Sequence, residues 1–356
     1  MPYFTPPHCP NPDCPMFARP EPGFARYRGC YRVKCRNHPI PRFRCSVCQR
    51  GFSRQTFRAD YRDHKPELNG SLLGHLASGG GLRQAARVLG LTRRCTTNKA
   101  HKLARNCWLL HENLQQPFVS NCSLQLDELV TFEGCRRTRP VTAPILIEAE
   151  SMLVLAVEAE PIRPSGKRTR RRERQMARDE QRFGRRVDGT RAGIEKVFAV
   201  GAKLCARLPQ VRLRTDQKPC YEPLARSVFG AQPLVHERIP GSLPKSTKNP
   251  LFRINLTLAK SRDQCGRLRR RSWLASKDRK YLRLHLGVFV AYTNYVRRRF
   301  NEDERTPAMV VNWLEERLDL EDLAGWSQRF GNQSLHPLGC GSRTICGLRE
   351  ERRIGA

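Results

Sequence analysis

The chain has 356 residues, and its 66 lysines and arginines against 33 acidic residues give a formal net charge of +33. An excess of this size points to a polyanionic partner, for which double-stranded DNA is the usual candidate. A membrane surface is the competing anion, but no apolar run reaches the length of a membrane span and the N-terminus lacks a signal pattern. We therefore expect a cytoplasmic, nucleoid-associated protein that does not bind membranes.

The cysteines are concentrated at the front of the chain. Six of the fifteen lie within the first 48 residues: Cys9, Cys14, Cys30, Cys35, Cys45 and Cys48. The first two and the last two form closely spaced pairs, and each pair can donate two thiolates to one metal ion. We predict a zinc β-ribbon over residues 1–60, with structural Zn²⁺ held by Cys9, Cys14, Cys45 and Cys48. The other two cysteines leave the ligand set open, as does the alternative that some of the six are only buried thiols.

Residues 61–118 are interpreted as a helix-turn-helix. An apolar stripe from Leu82 to Leu89 has helical spacing, Gly90 can end that helix, and Thr92 can cap a second helix running to about Asn106. Basic and hydroxyl side chains on the second helix match a DNA-reading element, and the predicted contacts are Arg93, Arg94, Thr96, Thr97 and Lys99. The alternative is an ordinary helical hairpin with a solvated basic face.

Short apolar runs after residue 119 predict a ribonuclease H-like α/β core over residues 119–300. Its five strands are expected at Ser123–Phe132, Ala143–Glu148, Met152–Val157, Val211–Asp216 and Gln232–Arg238. Asp127 lies on the first strand and Asp216 closes the fourth, so the two carboxylates can share Mg²⁺ or Mn²⁺. Each could instead be a turn or salt-bridge acid, and a register shift would exchange Asp127 with Glu128. Residues 163–190 are dominated by arginine and predict a solvated insertion.

These residues resemble bacterial insertion-sequence transposases with a DDE catalytic core. The matching segments are Asp127-Glu128, Arg-Thr-Asp216, Asn255-Leu-Thr-Leu, Arg267 to Lys277, His285 and Asn294-Tyr295. The resemblance implies a transposase that binds transposon ends and target DNA as a homodimer or larger assembly. It also implies metal-dependent strand cleavage by water, followed by strand transfer from the freed 3′-hydroxyl.

One position departs from the family pattern. The third carboxylate of the family falls just before the Asn-Leu-Thr-Leu run, where this chain has Phe252, which cannot bind a metal. Asn255 and Glu237 are two candidate substitutes, and the third possibility is a catalytically weak or inactive protein. Two alternative functions therefore stay open: a sequence-specific DNA-binding regulator derived from a transposase, and a structure-specific nuclease that lacks strand transfer.

The segment from Arg267 to Lys280 is strongly basic and is predicted to bind phosphates near the catalytic site. The residues assigned to this contact are Arg267, Arg270 and Arg271. Trp273 is interpreted as a core residue, with base stacking as the alternative. A buried helix is expected over Leu282–Tyr295. Residues 301–356 should form a C-terminal helix, from Thr306 through Leu318, and a loose tail.

Overall fold

The computed structural model describes residues 4–33, 38–57, 60–61, 63–269 and 274–326. Its front part is a three-stranded antiparallel sheet preceded by the short helix α1 (Pro15–Ala18). The strands β1 (Ala25–Tyr31), β2 (Ile40–Cys45) and β3 (Gly51–Ser53) follow in that order across the sheet. Four buried aromatic rings pack beneath buried cysteines and form the small core here: Phe24, Phe43, Phe52 and Phe57.

Three helices follow this sheet: α2 (Asn69–Ala77), α3 (Leu82–Val88) and α4 (Arg93–Leu114). Gly90 has a φ of +58°, which ends α3 with a left-handed residue, and the Thr92 hydroxyl accepts the N–H of Cys95 at 3.2 Å. Both turn signals are therefore confirmed. Helix α4 continues well past Asn106, because its apolar face remains buried to its last residue, Leu114.

The central sheet contains β4 (Ser123–Phe132), β5 (Pro140–Glu148), β6 (Leu153–Val157), β7 (Glu160–Pro161), β8 (Val211–Asp216) and β9 (Leu234–Ile239). Its strand order is β6-β5-β4-β8-β9, with β7 paired to β5. β5 runs antiparallel to both β4 and β6, whereas β4, β8 and β9 are mutually parallel. This mixed sheet is consistent with the predicted ribonuclease H-like core. The five predicted strands are present, and the two-residue strand β7 was not predicted.

Helices cover both faces of the sheet. The remaining core helices are α5 (Arg170–Phe183), α6 (Thr190–Cys205), α7 (Tyr221–Phe229), α8 (Phe252–Gln264) and α9 (Arg279–Ala291). One apolar cluster joins α6 and α7 to Leu124 and Leu126 of β4, and it extends into α2 and α4. The second joins α8 and α9 to Leu129 and to β5. Helix α5 has no buried residue, which agrees with a solvated insertion.

The C-terminal part differs from the expected single helix. A π-helical turn over Tyr292–Val296 follows α9, and then come two short helices, α10 (Pro307–Val310) and α11 (Leu320–Gly325). The helix predicted through Leu318 ends early because Asn312 adopts a left-handed φ of +58°, which directs Trp313 inward against Phe118. The predicted tail lies outside the described residues. Within the described ranges, no helix is both long and apolar enough to cross a membrane.

Candidate metal centres and nucleic-acid interface

Four cysteine sulfurs converge at the edge of the front sheet. The Sγ atoms of Cys9 and Cys48 are 3.5 Å apart, and those of Cys14 and Cys45 are 3.8 Å apart. All four lie within 4.8 Å of one another. A tetrahedral Zn²⁺ site with Zn–S bonds of about 2.3 Å has sulfurs about 3.8 Å apart. The cluster therefore has the dimensions of a four-thiolate metal site.

Local backbone geometry sets these cysteines in place. Cys9 donates its N–H to the carbonyl of Met16 at 3.0 Å, which folds the first pair around α1. Cys45 ends β2, and the turn after it is closed by Gln49, whose φ is +61°. Burial is the largest cause that raises the pKa of the Cys9 thiol, and the neighbouring thiols add to it. The cluster could hold a metal cation, which would stabilise the four sulfurs as thiolates.

Cys30 does not join the cluster. Cys30 is exposed, and its Sγ lies 3.0 Å from the hydroxyl of Tyr27. Cys35 lies outside the described residues. Of the six front cysteines, those described as converging are the two closely spaced pairs.

Asp127 and Asp216 lie on neighbouring parallel strands of the central sheet. The register pairs Ser123 with Arg212 and Gln125 with Arg214, and two further residues along each strand bring Asp127 beside Asp216. Burial raises the pKa of Asp127 to about 6, and the negative charge of Asp216 contributes in the same direction. The two carboxylates are thus close enough to interact electrostatically, and both side chains are partly buried. The sequence predicted that these two residues lie on neighbouring strands; that they share a metal stays a prediction.

Glu128 points to the opposite face of the sheet. Its carboxylate accepts the hydroxyl of Tyr221 at 2.9 Å and that of Thr142 at 2.8 Å, and it forms an ion pair with Lys218. Its side chain is only 8% exposed. Because neighbouring residues of a strand face opposite sides, a site shared with Asp216 belongs to Asp127. The exchange of Asp127 with Glu128 is therefore excluded in this register.

Gln125 connects the aspartate strand to helix α8. It lies two residues before Asp127, hence on the same face of β4, and it is 1% exposed. Its Oε1 accepts the N–H of Ile254 at 3.0 Å, and its Nε2 donates to the carbonyl of Pro250 at 2.8 Å. The start of α8 is therefore fixed over the face that carries Asp127. Sequence reasoning missed Gln125, although a polar residue inside a buried strand is a usable signal.

Each of the two candidate third ligands, Asn255 and Glu237, has a hydrogen-bond partner of its own. Phe252 is the first residue of α8, and Asn255 uses its amide nitrogen to donate to the carbonyl of Leu251 at 2.9 Å. Glu237 accepts a hydrogen bond from Arg214 at 2.6 Å and lies 3.4 Å from Arg212. Among the described residues, the cysteine cluster is the only gathering of three or more His, Cys, Asp or Glu close enough to hold a metal. The carboxylate of Glu237 is paired with Arg212 and Arg214 and not gathered with the two aspartates, so its role as third metal ligand stays a prediction.

The first turn of α4 exposes part of the predicted DNA-contacting set. Arg93 and Arg94 are exposed, and Thr97 is half-buried with its hydroxyl bonded to the carbonyl of Arg93. Asn98 and Arg105, which the sequence interpretation left out, are exposed further along the helix. This surface begins at the turn after α3, where a DNA-reading helix would present its N-terminal residues.

Two residues of that set face inward instead. Thr96 is fully buried, and Lys99 is 2% exposed. The Lys99 ammonium donates to Asp63 at 2.8 Å and to Asn69 at 2.9 Å. The prediction that Thr96 and Lys99 contact DNA is therefore corrected. The helical repeat places both on the face of α4 that packs against the protein.

Three residues of the segments that resemble the transposase family, Arg267, Asn294 and Tyr295, make hydrogen bonds within the protein. Arg267 is partly buried and donates to the Ser276 hydroxyl at 3.1 Å, so the structure does not present it as an open phosphate contact. Asn294 forms two hydrogen bonds with the backbone of Val154, at 2.8 and 2.9 Å. The hydroxyl of Tyr295 lies 2.7 Å from Nδ1 of His111 in α4. The predicted residues Arg270, Arg271 and Trp273 lie outside the described residues.

Comparisons with known proteins give little beyond this geometry. No protein-family model matches the sequence. No curated protein sequence matches it either. Seven chains among the solved structures match, and one of them is the crystal structure of the catalytic domain of Mos1 mariner transposase. It is 12% identical, spans 54% of this chain and 88% of its own, and has a TM-score of 0.21. A likeness at that TM-score carries no weight for the function of this chain.

Proposed function

We propose that this protein is a DNA transposase that binds double-stranded DNA and carries out metal-dependent strand cleavage and transfer. The observation that carries the proposal is the position of Asp127 and Asp216 beside each other on neighbouring parallel strands, beneath the start of α8. In this proposal each part of the chain has its own role: residues 1–60 form a zinc ribbon, and residues 61–118 bind the DNA in a sequence-specific way. Residues 119–300 carry the chemistry, and the protein acts as a homodimer or larger assembly.

The aspartate pair fits a divalent cation. Mg²⁺ is usually held by one or two protein carboxylates, with waters and substrate phosphates completing its shell. Two aspartates therefore suffice for one ion, even though Phe252 stands at the family's third position. Because the negative charge of Asp216 contributes to the raised pKa of Asp127, a bound cation would relieve this repulsion. Bound Mg²⁺ or Mn²⁺ would activate an attacking hydroxyl and stabilise the leaving oxygen of a phosphodiester.

The surrounding residues keep this pair in position. Gln125 fixes α8 above the aspartate face, and Asp216 accepts the N–H of Lys218 at 2.9 Å, which shapes the turn after β8. The ammonium of Lys218 is in turn held by Glu128 on the opposite face. The backbone that presents both aspartates is therefore braced from two sides. Such bracing favours a preorganised site over a flexible surface pair.

Two further parts complete the proposal. The four converging cysteines would hold one structural Zn²⁺, whose binding stabilises a front sheet with a very small core. The exposed first turn of α4, with Arg93 and Arg94, would contact DNA, and Thr97 lies at the edge of that surface. The net charge of +33 supports a polyanionic partner.

A cleavage assay tests the proposal. The substrates are duplexes carrying the ends of the element that encodes the protein, with Mg²⁺ or Mn²⁺ present. We expect the wild-type protein to cut them, and Asp127→Asn and Asp216→Asn each to abolish cutting while DNA binding persists. Glu195→Gln, at an exposed acid on α6, is the matched control and should keep full activity. A wild-type protein that binds these ends but leaves them intact would overturn the catalytic proposal.

A second function is supported by one observation. No third acidic side chain gathers with the two aspartates within the described part of the chain, and Phe252 occupies the expected position. A DNA-binding regulator derived from a transposase would have this property. It would bind the ends without cutting, and Phe252→Glu would be the substitution that restores cleavage if only this ligand has been lost. A structure-specific nuclease would instead cut branched DNA without joining strands.

A further inference from the structure

Helix α5 consists largely of arginine and lies on the surface of the core. It runs from Arg170 to Phe183 as an insertion between β7 and α6, and none of its residues is buried. A helix that contributes nothing to the apolar core has to be held by polar contacts. Those contacts, and the residues that they leave free, show which side of α5 can meet a partner.

One face of α5 is anchored to the loop that joins β4 and β5. The guanidinium of Arg172 donates to the carbonyl of Arg137 at 3.1 Å and to that of Ser165 at 2.7 Å. Asp179, two turns further on, accepts the hydroxyl of Thr138. The helix therefore has a fixed orientation, with Arg172 and Asp179 turned toward the body of the protein.

Exposed arginines at i, i+4 spacing run along another side of the helix. We call this set the arginine row: Arg170, Arg174, Arg178 and Arg182. Within the described residues, none of the four takes part in an ion pair. Like charges four residues apart disfavour a helix. The row therefore disfavours α5 and, in the described part of the chain, offsets this with no ion pair; the guanidinium of Arg182 lies 5.0 Å from the ring centroid of Phe183.

The dimensions of the arginine row suit a nucleic-acid backbone. At a rise of about 1.5 Å per residue, the row extends over about 18 Å. Duplex DNA carries one negative charge per about 1.7 Å of its axis, so that a surface of this length meets several phosphates. A cleft of about 810 Å³ between α5 and the end of β4 adds further cations, with Arg136, Arg137 and Lys167 in its lining.

A membrane surface fits this helix less well than DNA. An interfacial helix needs a broad apolar face to enter the headgroup region. The aromatic residue of α5, Phe183, is 52% exposed but stands alone at the end of the helix, with the guanidinium of Arg139 3.9 Å from its ring centroid. The exposed side of α5 therefore offers charge without an apolar face, which suits phosphates spaced along a duplex.

We propose that the arginine row binds the phosphate backbone of double-stranded DNA, as a second contact separate from the first turn of α4. This inference rests on the proposed function, because it requires that duplex DNA is the substrate. Phosphate contacts carry no sequence information, so the row should strengthen binding to every duplex equally. The first turn of α4 would provide the preference for particular ends.

The test compares two variants that lose the same charge. The row variant is R170Q/R174Q/R178Q/R182Q, and the control is R191Q/K203Q/R207Q/R226Q, at exposed positions on α6, after it and on α7. Glutamine supports a helix nearly as well as arginine, so α5 should persist, and circular dichroism checks this. Affinity is measured over a salt series for a duplex carrying the ends and for one of random sequence.

Each phosphate contact contributes about 0.9 to the slope of log affinity against log salt, so we expect the row variant's slope to be shallower by about 3 to 4. Between about 50 and 200 mM salt, its affinity should then fall roughly a hundredfold less than that of the wild type. The effect should be the same on both duplexes, and the control should keep the wild-type slope.

The outcomes separate this inference from the proposed function. A wild-type protein that binds neither duplex overturns both. A wild-type protein that binds and cuts, with row and control variants of equal slope, overturns the inference alone. A row variant that loses affinity only for a duplex RNA of the same sequence also overturns it, because the row would then serve a different nucleic acid.

Discussion

Gln125 and Ile254 are joined by a hydrogen bond of 3.0 Å between a strand side chain and the backbone N–H of a helix. The bond crosses from the buried face of β4 to the start of α8, and the same glutamine also donates to the carbonyl of Pro250. An N–H in the first turn of a helix has no partner within the helix, and Gln125 supplies one to the N–H of Ile254 from the sheet. The position of α8 over Asp127 follows from this contact.

Replacing Gln125 with leucine tests that relationship. The Gln125→Leu variant leaves the buried N–H of Ile254 and the more exposed carbonyl of Pro250 without this partner, so we expect a loss of about 1 to 3 kcal/mol in the free energy of unfolding. Cleavage should fall further than stability explains at a temperature where the variant is folded, because α8 is no longer fixed over Asp127. Chemical denaturation and the cleavage rate measure the two effects. Unchanged values for both would show that the hydrogen bonds do not position the helix.

The cysteine cluster gives a prediction about metal content. We expect native mass spectrometry to find one tightly held zinc per chain. Cys45→Ser should lose it and unfold the front sheet, because a site short of one thiolate binds the metal weakly and the sheet depends on the metal. Cys30→Ser is the matched control, since Cys30 is exposed and lies beside Tyr27. Full zinc occupancy in Cys45→Ser would contradict the assignment.

The raised pKa of Asp127 predicts a stability that depends on pH. Burial raises the pKa of this carboxyl from 3.8 to about 6, so the folded protein holds the proton more tightly than the unfolded chain does. Stability should therefore fall as the pH rises from 3.8 to about 6 and should stay lower above that range. Asp127→Asn has no such penalty, so without divalent cations it should be more stable than wild type above pH 6, by about 1 to 3 kcal/mol.

Thermal unfolding in buffers from pH 4 to 8, with zinc retained, measures this difference. Mg²⁺ should stabilise the wild-type protein above pH 6 and have little effect on Asp127→Asn, because the cation and the proton compete for the same carboxylate. If the two proteins differ by a constant amount at every pH, the carboxyl of Asp127 does not titrate as described.

Helix α4 separates a DNA-contacting role from a structural one. Arg93→Ala with Arg94→Ala should weaken binding to the ends and flatten its salt dependence, with unfolding unchanged, because both side chains are exposed. Lys99→Ala should instead lower the free energy of unfolding and leave DNA binding unchanged. It leaves Asp63, whose side chain is only 10% exposed, without its cation, at a cost of about 3 kcal/mol. Fluorescence anisotropy and chemical denaturation distinguish the two. A reversed pattern would restore Lys99 as a DNA contact.

Local patterns predicted much of this fold. The alternation and ends of the strands located β4 and β8, and with them Asp127 and Asp216, because strand period and termination are local properties. The capping signals Gly90 and Thr92 likewise located the turn before α4. An aspartate at the end of a strand is thus readable from a single sequence.

The errors concern contacts between residues far apart in the chain. The sequence around Lys99 does not reveal that Asp63 and Asn69 will bind its ammonium group. Glu237 likewise forms its ion pairs with arginines of a different strand. Gln125 was overlooked for the same reason, since its partners follow it by more than one hundred residues. Side-chain roles of this kind depend on tertiary packing, which sequence periodicity does not report.

A thiolate substitution tests most directly whether Asp216 binds the catalytic metal. Thiolates are soft ligands that suit Mg²⁺ poorly, whereas Mn²⁺ tolerates them better. The measurement is the cleavage rate of end-bearing duplexes by wild type and by Asp216→Cys, each with Mg²⁺ and with Mn²⁺. We predict that wild type cuts with either ion, and that the variant is inactive with Mg²⁺ and partly recovers with Mn²⁺. Equal cleavage by the variant with both ions, or no cleavage by wild type with either, would contradict a metal site built on Asp127 and Asp216.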